Sequence, residues 1–394
     1  MAEINMKLTI SVFTILVMSL TVSGQKYERY KPLSDTLLYS KSLGYGKKIS
    51  ITVPKEYQSN TKEKSFPLII IFDSQNQRSY NYIIRTIDYL TSNEQMPASI
   101  IVGVESNQES RYNETQLELS DKTAFGSKNE LFIFDELIPF IQNNHKANNF
   151  NLLIGHSRYG YFSSLMLTKH YSELNAVISI SPFMSQKNIN LTDSISNLYS
   201  QYSLERTLYY RYGIGNDYPE DFKELELKLN IKNRVTERAN FKGYLFTEAD
   251  HNATPGLTIG TALYEIFEFW SKQQNAYINN ENKNINSSVT LSDKISDHYG
   301  VSLKFSLGIL NGKGWYFFNK MEYLQSIDAW DQLVKEYPVF SEVYLNIIEA
   351  QKELNQDYTE TLKQFKESLA TTKFYAQEEI LELQKELNEL EKYR

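Results

Sequence analysis

Ile154-Gly155-His156-Ser157-Arg158-Tyr159-Gly160 decides how the rest of this chain is read. Before it, Phe150-Asn151-Leu152-Leu153-Ile154 is an apolar run of strand length. After it, Tyr161-Phe162-Ser163-Ser164-Leu165-Met166-Leu167 reads as the start of a packed helix. A serine between the two sits on a sharp strand-to-helix turn, which lifts its hydroxyl clear of a sheet. The turn also aims the amide of the next residue, Arg158, at any oxyanion formed on that serine. Strand and helix pass close together there, so small residues are needed. Gly155 meets that need. The position two after the serine holds Tyr159, and Gly160 follows one place late.

The flanking pattern supplies the sheet. Lys48 to Val53 alternates like a strand and Pro54 ends it. Phe66 to Phe72 and Ala98 to Val104 are continuous apolar runs, as strands covered on both faces should be. A helical period over Asn129 to Asn143 leads into the strand before Ser157. Ala176 to Pro182, Thr207 to Tyr212 and Phe241 to Phe246 predict three further strands, with helical segments between them. Strands alternating with helices argue an α/β fold: a mostly parallel sheet with helices on both faces. Sites in such sheets lie at the carboxyl ends of the strands.

Composition bounds the rest. The chain has 394 residues and a net charge of -7, with no basic stripe to suggest a nucleic-acid partner. With no cysteine it has no disulfide framework, thiolate metal site or cysteine nucleophile. Lys7, the apolar run Leu8 to Val22 and the small residues Ser23-Gly24 predict a signal peptide over 1–24, cut after Gly24. No other segment is apolar enough to span a membrane. Asn-, Lys- and Ile-rich usage points to a bacterial source, and so to a periplasmic or secreted protein.

After Trp270 the composition shifts. Residues 25–272 form the expected α/β domain, complete by Trp270. The Asn-, Ser- and Lys-rich stretch 273–299 reads as a linker, and 300–394 as a small all-α domain. Gly314, Phe317, Ser326, Trp330 and Pro338 fall at tetratricopeptide-like positions. A weaker unit runs from Tyr344 through Tyr358, Leu362, Phe365 and Leu369, followed by a capping helix from Tyr375 to Tyr393.

A serine nucleophile needs a base, and the base needs an orienting acid. In this fold they follow the serine as acid, then histidine, each after a strand. Of the five histidines, His145 precedes the serine, His156 adjoins it, His170 lies late in the following helix, and His298 lies in the linker stretch. His251 remains, after the last strand and before a helix opened by Thr254-Pro255. The acid should follow Thr207 to Tyr212. Asp217, just past Gly213 and Gly215, is the first choice, with Glu220 as the alternative. The second oxyanion amide should come from the turn Asp73-Ser74-Gln75-Asn76, from Gln75 or Ser74, with Asp73 holding the turn.

Taken together, these phrases resemble the putative-esterase family of α/β-hydrolases from about Gly46 to Lys272. Its members include S-formylglutathione hydrolases, feruloyl esterases, siderophore esterases and mycolyltransferases. The resemblance rests on Ile51 to Tyr57, Ile70 to Gln75, Ile101 to Val104 with Arg111, Glu136 to Ile141, the Gly-His-Ser-Arg turn, Ile180-Ser181-Pro182 and His251. It departs at Tyr159 and Ser74, where glycine is usual. The resemblance implies a Ser-acid-His hydrolase with no metal or organic cofactor, and the tail is similar to helical tails on exported esterases.

The expectation is an exported serine hydrolase of carboxylic esters. Ser157 attacks, His251 shuttles the proton, Asp217 orients His251, the Arg158 and Gln75 amides hold the oxyanion, and Arg111 rims the pocket. Its partners are small-molecule, glycan or siderophore-type esters, with the helical tail as an arm for a protein partner or self-association. The rival is a hydrolase-like binding protein with weak or no activity, working through that tail.

Overall fold

The computed structural model describes residues 27–57, 65–117, 124–186, 189–200, 204–231, 237–279 and 286–392. The expected signal peptide over 1–24 lies outside these residues. Strands and helices alternate: β1 (Tyr30–Ser40), β2 (Tyr45–Pro54), β3 (Phe66–Phe72), α1 (Gln77–Ser92), β4 (Ile100–Val104), α2 (Gln108–Glu114), α3 (Gly126–Leu131), a π-helical turn (Phe132–Leu137) and α4 (Ile138–Asn144). Then come β5 (Ala147–His156), α5 (Arg158–Lys169), β6 (Ala176–Ile180), a small hairpin of β7 (Ser185–Gln186) and β8 (Ile189–Asn190), α6 (Leu191–Tyr199), β9 (Leu208–Ile214), α7 (Pro219–Ile231), β10 (Ala239–Leu245) and α8 (Thr254–Asn279).

Among the described residues the main sheet has eight strands in the order β1-β2-β4-β3-β5-β6-β9-β10. The first two pairings, β1 with β2 and β2 with β4, are antiparallel; the others are parallel. This is the α/β-hydrolase arrangement, with a helical C-terminal region after it. Side chains of β3 alternate between two cores, as a pleated strand requires. Leu68, Ile70 and Phe72 join the core under α5, α6 and α7. Ile69 and Ile71 join the core under α1 and α8. The edge strand β1 escaped the sequence reading because it is polar and its interior is largely exposed, so no buried stripe marks it.

The C-terminal helices are α9 (Asn286–Tyr299), α10 (Leu307–Phe318), α11 (Tyr323–Glu336), α12 (Val343–Glu353), α13 (Thr359–Thr371) and α14 (Gln377–Lys392). Much of the expected linker is helical: α8 continues to Asn279, and α9 starts at Asn286. Of its large residues, Tyr277, Ile295 and Tyr299 are buried, while Val289 is exposed. Tyr299 packs its ring near Phe150, Phe267 and Phe269. Its hydroxyl donates to the Ile266 carbonyl at 2.9 Å. His298 stacks on Phe269, with Nε2 at 2.7 Å from the Tyr209 hydroxyl. Composition misled here because two anchors one turn apart, Ile295 and Tyr299, are enough to dock α9 while its other faces stay polar.

One apolar cluster therefore runs without a break from Ile69 and Ile71 in the sheet through Trp270 and Tyr299 to Trp330, Val343 and Ile347 in the tail. Within the tail, α10 and α11 approach closely. A Cβ at Gly314 would stand 2.1 Å from the Trp330 ring nitrogen, and Ser326 Oγ donates to the Gly314 carbonyl at 3.0 Å. Those contacts explain the small residues at 314 and 326 opposite a large one at 330.

Because Tyr299 ties the tail to the sheet, Tyr299→Ala is expected to cost about 3–5 kcal/mol in urea unfolding, the range for truncating large buried aromatics. A loss below about 1 kcal/mol would show that sheet and tail do not depend on this contact.

Candidate active site

Ser157 sits where β5 ends and α5 begins, with φ 60° and ψ -118°. A non-glycine residue held there stores about 1–3 kcal/mol of strain and persists only if its surroundings over-determine it. They do. The Ser157 N–H donates to the Ile180 carbonyl at 2.8 Å, and the Tyr161 N–H donates to the Ser157 carbonyl at 2.9 Å. A Cβ at Gly155 would lie 2.1 Å from the Tyr159 carbonyl oxygen, and one at Gly160 would lie 2.8 Å from the Ile180 carbonyl oxygen. The late glycine is thus the one that lies against β6. The side chain at 159 points elsewhere: the Tyr159 ring is buried and stacks on Phe72 at 4.5 Å.

The Tyr159 hydroxyl ends in a buried polar cluster that the sequence did not announce. It donates to Glu114 Oε2 at 2.7 Å and lies 2.7 Å from Ser106 Oγ. Lys47 Nζ donates to both Glu114 oxygens, at 2.8 and 3.0 Å, and the Tyr45 hydroxyl donates to Glu114 as well. Lys47 is 2% exposed and Glu114 is fully buried. Burial alone would raise the Glu114 pKa; the Lys47 ammonium and the converging hydrogen bonds outweigh it and hold the carboxyl below its usual value. The Ser106 N–H donates to Gln75 Oε1 at 2.9 Å, so the cluster fastens the turn after β3 as well as the start of α5. Glu114 was missed because it sits in the polar stretch Asn107 to Glu114, where nothing in the spacing distinguishes a buried carboxylate from a solvated one.

Asp217 and His251 come from the loops after β9 and β10. The Asn216 N–H donates to the Ala249 carbonyl at 2.8 Å, and a Cβ at Gly215 would lie 2.4 Å from that oxygen. Side by side, the loops bring His251 Nδ1 to 2.5 Å from Asp217 Oδ2. Glu220 instead lies in the first turn of α7, 81% exposed and paired with Lys223. Of the two candidate acids, Asp217 is the one that reaches His251. Thr254 Oγ1 donates to the His251 carbonyl at 2.9 Å and lies 2.8 Å from Ser181 Oγ, anchoring the histidine loop beside β6. Among the described residues no hydrogen bond joins Ser157 Oγ to His251; the serine side is linked through its neighbour. His156 Nε2 donates to the His251 carbonyl at 3.0 Å, and the two rings lie 4.6 Å apart. Burial, then the charges of His251 and Arg111, push the His156 pKa down to about 4, so its ring is neutral near pH 7.

On the oxyanion side, Asp73 takes φ 58° and its carboxylate accepts from Gln75 Nε2 at 3.0 Å and from Arg111 Nε at 2.8 Å. The Ser74 N–H is held by the Val104 carbonyl at 3.2 Å, which leaves the Gln75 amide as the candidate donor from this turn. Arg111 also reaches the His156 carbonyl with Nη2 at 3.3 Å, tying the turn after β3 to the end of β5. It lines a cavity of about 140 Å³ with Asp73, Gln75, Tyr80 and His156. The remaining histidines are placed elsewhere: His145 packs edge-on to Phe140, and His170 stacks on Phe134 between Glu130 and Glu173. Among the described residues no group of three His, Asp or Glu side chains is placed to hold a metal ion.

Residues 40–259 match the family described as Putative esterase. No curated protein matches the chain. Among solved structures, an uncharacterised protein of Capnocytophaga ochracea DSM 7271 aligns with a TM-score of 0.58 at 15% identity, covering 90% of this chain and 99% of its own. An IroE-like serine hydrolase of Shewanella oneidensis aligns with a TM-score of 0.60 at 16% identity, covering 78% of this chain and 100% of its own. The BES protein of Bacillus cereus gives 0.50 at 18% identity over 62% of this chain and 98% of its own. At these identities the likeness is one of fold. The first of them extends well past the family match, into the helical tail.

Removing Glu114 would leave the Lys47 ammonium buried without its counter-charge. Glu114→Ala is therefore expected to destabilise the protein by about 3–5 kcal/mol in chemical unfolding. A variant as stable as the parent would mean that water reaches Lys47 and that the cluster does not brace the turn at Ser157.

Proposed function

Because the chain belongs to the Putative esterase family, we propose that it is a serine hydrolase of carboxylic esters, with Ser157, His251 and Asp217 as its triad. One observation carries the reading: the 2.5 Å Asp217–His251 contact, set at the carboxyl end of the sheet beside the strained turn at Ser157. In the proposed reaction Ser157 Oγ attacks the acyl carbon and gives its proton to His251 Nε2. The carbonyl π electrons move to oxygen, where the Arg158 and Gln75 amides meet the charge. Collapse breaks the acyl–oxygen bond, and the departing alkoxide takes the proton from His251. Water then attacks the acyl-enzyme, passing a proton to His251, and the acid is released as Ser157 recovers its proton. Asp217 holds the His251 Nδ1–H throughout, fixing the tautomer that leaves Nε2 free to accept.

Feruloyl, acetyl-sugar and siderophore-type esters are the substrate classes this reading admits. The apolar run Leu8 to Val22 behind Lys7 supports export to the periplasm or beyond, with the mature chain starting at Gln25. No helix among the described residues is long and apolar enough to cross a membrane. The helix pairs of the tail form a tetratricopeptide-like surface suited to a protein partner or a second copy. The rival reading, a hydrolase-like binding protein, is disfavoured by the formed Asp217–His251 pair.

Turnover of p-nitrophenyl acetate and butyrate decides between them. Ser157→Ala is expected to lower kcat by about 10⁴-fold or more with the fold intact. Asp217→Asn is expected to cost up to about 10⁴-fold, the loss seen when a triad histidine takes the wrong tautomer. Glu220→Gln, at an exposed helix start, should stay within about twofold. Near-parental rates in a folded Ser157→Ala variant would discard the serine, and a crippling Glu220→Gln would reassign the acid.

A further inference from the structure

Arg158 has a second face besides its amide. Its guanidinium lies over the Tyr112 ring, 3.9 Å from the centroid, and 5.9 Å from the Phe183 centroid. The neighbouring Arg111 is matched to a carboxylate, Asp73. No ion pair holds Arg158 among the described residues, and its Nη1 is buried with no hydrogen-bond partner. A buried cationic donor left unmatched is costly, so the Arg158 Nη1 calls for a partner. Burial pulls the Arg158 pKa down, yet a guanidinium keeps its charge at any ordinary pH.

The surroundings say what would match it. Phe183 stacks on Tyr161 at 4.6 Å, and Tyr218 meets Phe183 edge-on at 6.4 Å. Tyr218 in turn stands edge-on to His251 at 6.3 Å. One aromatic wall thus runs from Arg158 to the histidine. Tyr112 is 46% exposed and Phe183 and Tyr218 are half-buried, so the wall opens to solvent. A ligand lying along it would have one end at His251 and Ser157 and the other at a cation that lacks an anion. A planar fork stacked on a ring presents its in-plane N–H groups to a carboxylate.

We propose that the Arg158 side chain is an anion-recognition site, and that the esters this enzyme takes carry a carboxylate, on the acid or the alcohol side, that pairs with it. The proposal rests on the ester-hydrolase reading above, and its test separates the two. Matched pairs are p-nitrophenyl hemisuccinate against p-nitrophenyl butyrate, with the charge on the acid, and 4-carboxyphenyl acetate against phenyl acetate, with the charge on the alcohol. The parent should favour the charged member of one pair by roughly tenfold or more in kcat/KM, chiefly through KM. That preference should shrink as salt rises from about 0.05 to 0.5 M.

Arg158→Met should bring the charged-to-neutral ratio to within about threefold, whatever happens to the absolute rates, and Arg158→Lys should keep part of it. A parent that favours the neutral esters, or a ratio unmoved in Arg158→Met, would overturn the proposal. Calorimetry of 4-carboxyphenyl acetate with Ser157→Ala and with Ser157→Ala/Arg158→Met distinguishes the remaining case. Binding roughly tenfold tighter to the first, with no turnover by the parent, keeps the anion site and discards the hydrolase. Equal binding with no turnover discards both.

Discussion

The site depends on one reversal of direction, at Ser157. A strand buried on both faces must hand over to a helix within one residue, and that residue must take a left-handed φ that an L-amino acid resists. Two glycines make the reversal possible, Gly155 against the Tyr159 carbonyl and Gly160 against Ile180. The hydrogen bond from Ser157 N–H to Ile180 holds it shut. A hydroxyl raised in this way is exposed above the strand ends, and the first free amides of α5 lie beside it. The position that departs from the usual pattern, Tyr159, turns out to be one where the packing has room for a side chain. The buried ring and its hydroxyl then add a second set of restraints from Glu114 and Ser106.

Buried polar groups of this kind are expensive to place. A lysine and a glutamate sealed beneath the sheet end would destabilise the protein if either stood alone; together, with every near oxygen engaged, they form a rigid post. Its position is informative, because it joins β2, the end of β4, the helix α2 and the start of α5. The oxyanion turn is attached to the same post through Ser106 and Gln75. The two sides of the proposed oxyanion pocket therefore share one support, which is how a strained serine and a tight turn from distant parts of the chain can keep a fixed separation.

The tail follows a different logic. The face of the sheet under α1 and α8 has more apolar surface than those two helices cover, and the C-terminal helices complete it. Phe150, Phe267, Trp270 and Tyr299 pack where sheet, α8 and α9 meet, and the same cluster runs on into Trp330 and Val343. Truncation and mutation in the tail should therefore be felt in the stability of the hydrolase region. The polar composition of residues 273–299 disguises this, since a docked helix needs only a narrow buried stripe.

Much was legible from residues alone. Runs such as Phe66 to Phe72 read as buried parallel strands because seven apolar residues, three of them Ile, are too short for a packed helix and rich in β-branched side chains. Ser157, His251 and Asp217 stood out as candidates, with Glu220 beside Asp217, because each follows a strand in the order the fold uses. What the chain order could not reveal was distance through space. That Asp217 rather than Glu220 touches His251, that Ser74 has its amide engaged, that Glu114 lies beneath Tyr159, and that the tail shares the sheet's core were all decided by tertiary packing. Periodicity records which face of an element is buried. It carries no information on which other element covers that face, and polar contacts between segments far apart in sequence are set only when the layers close.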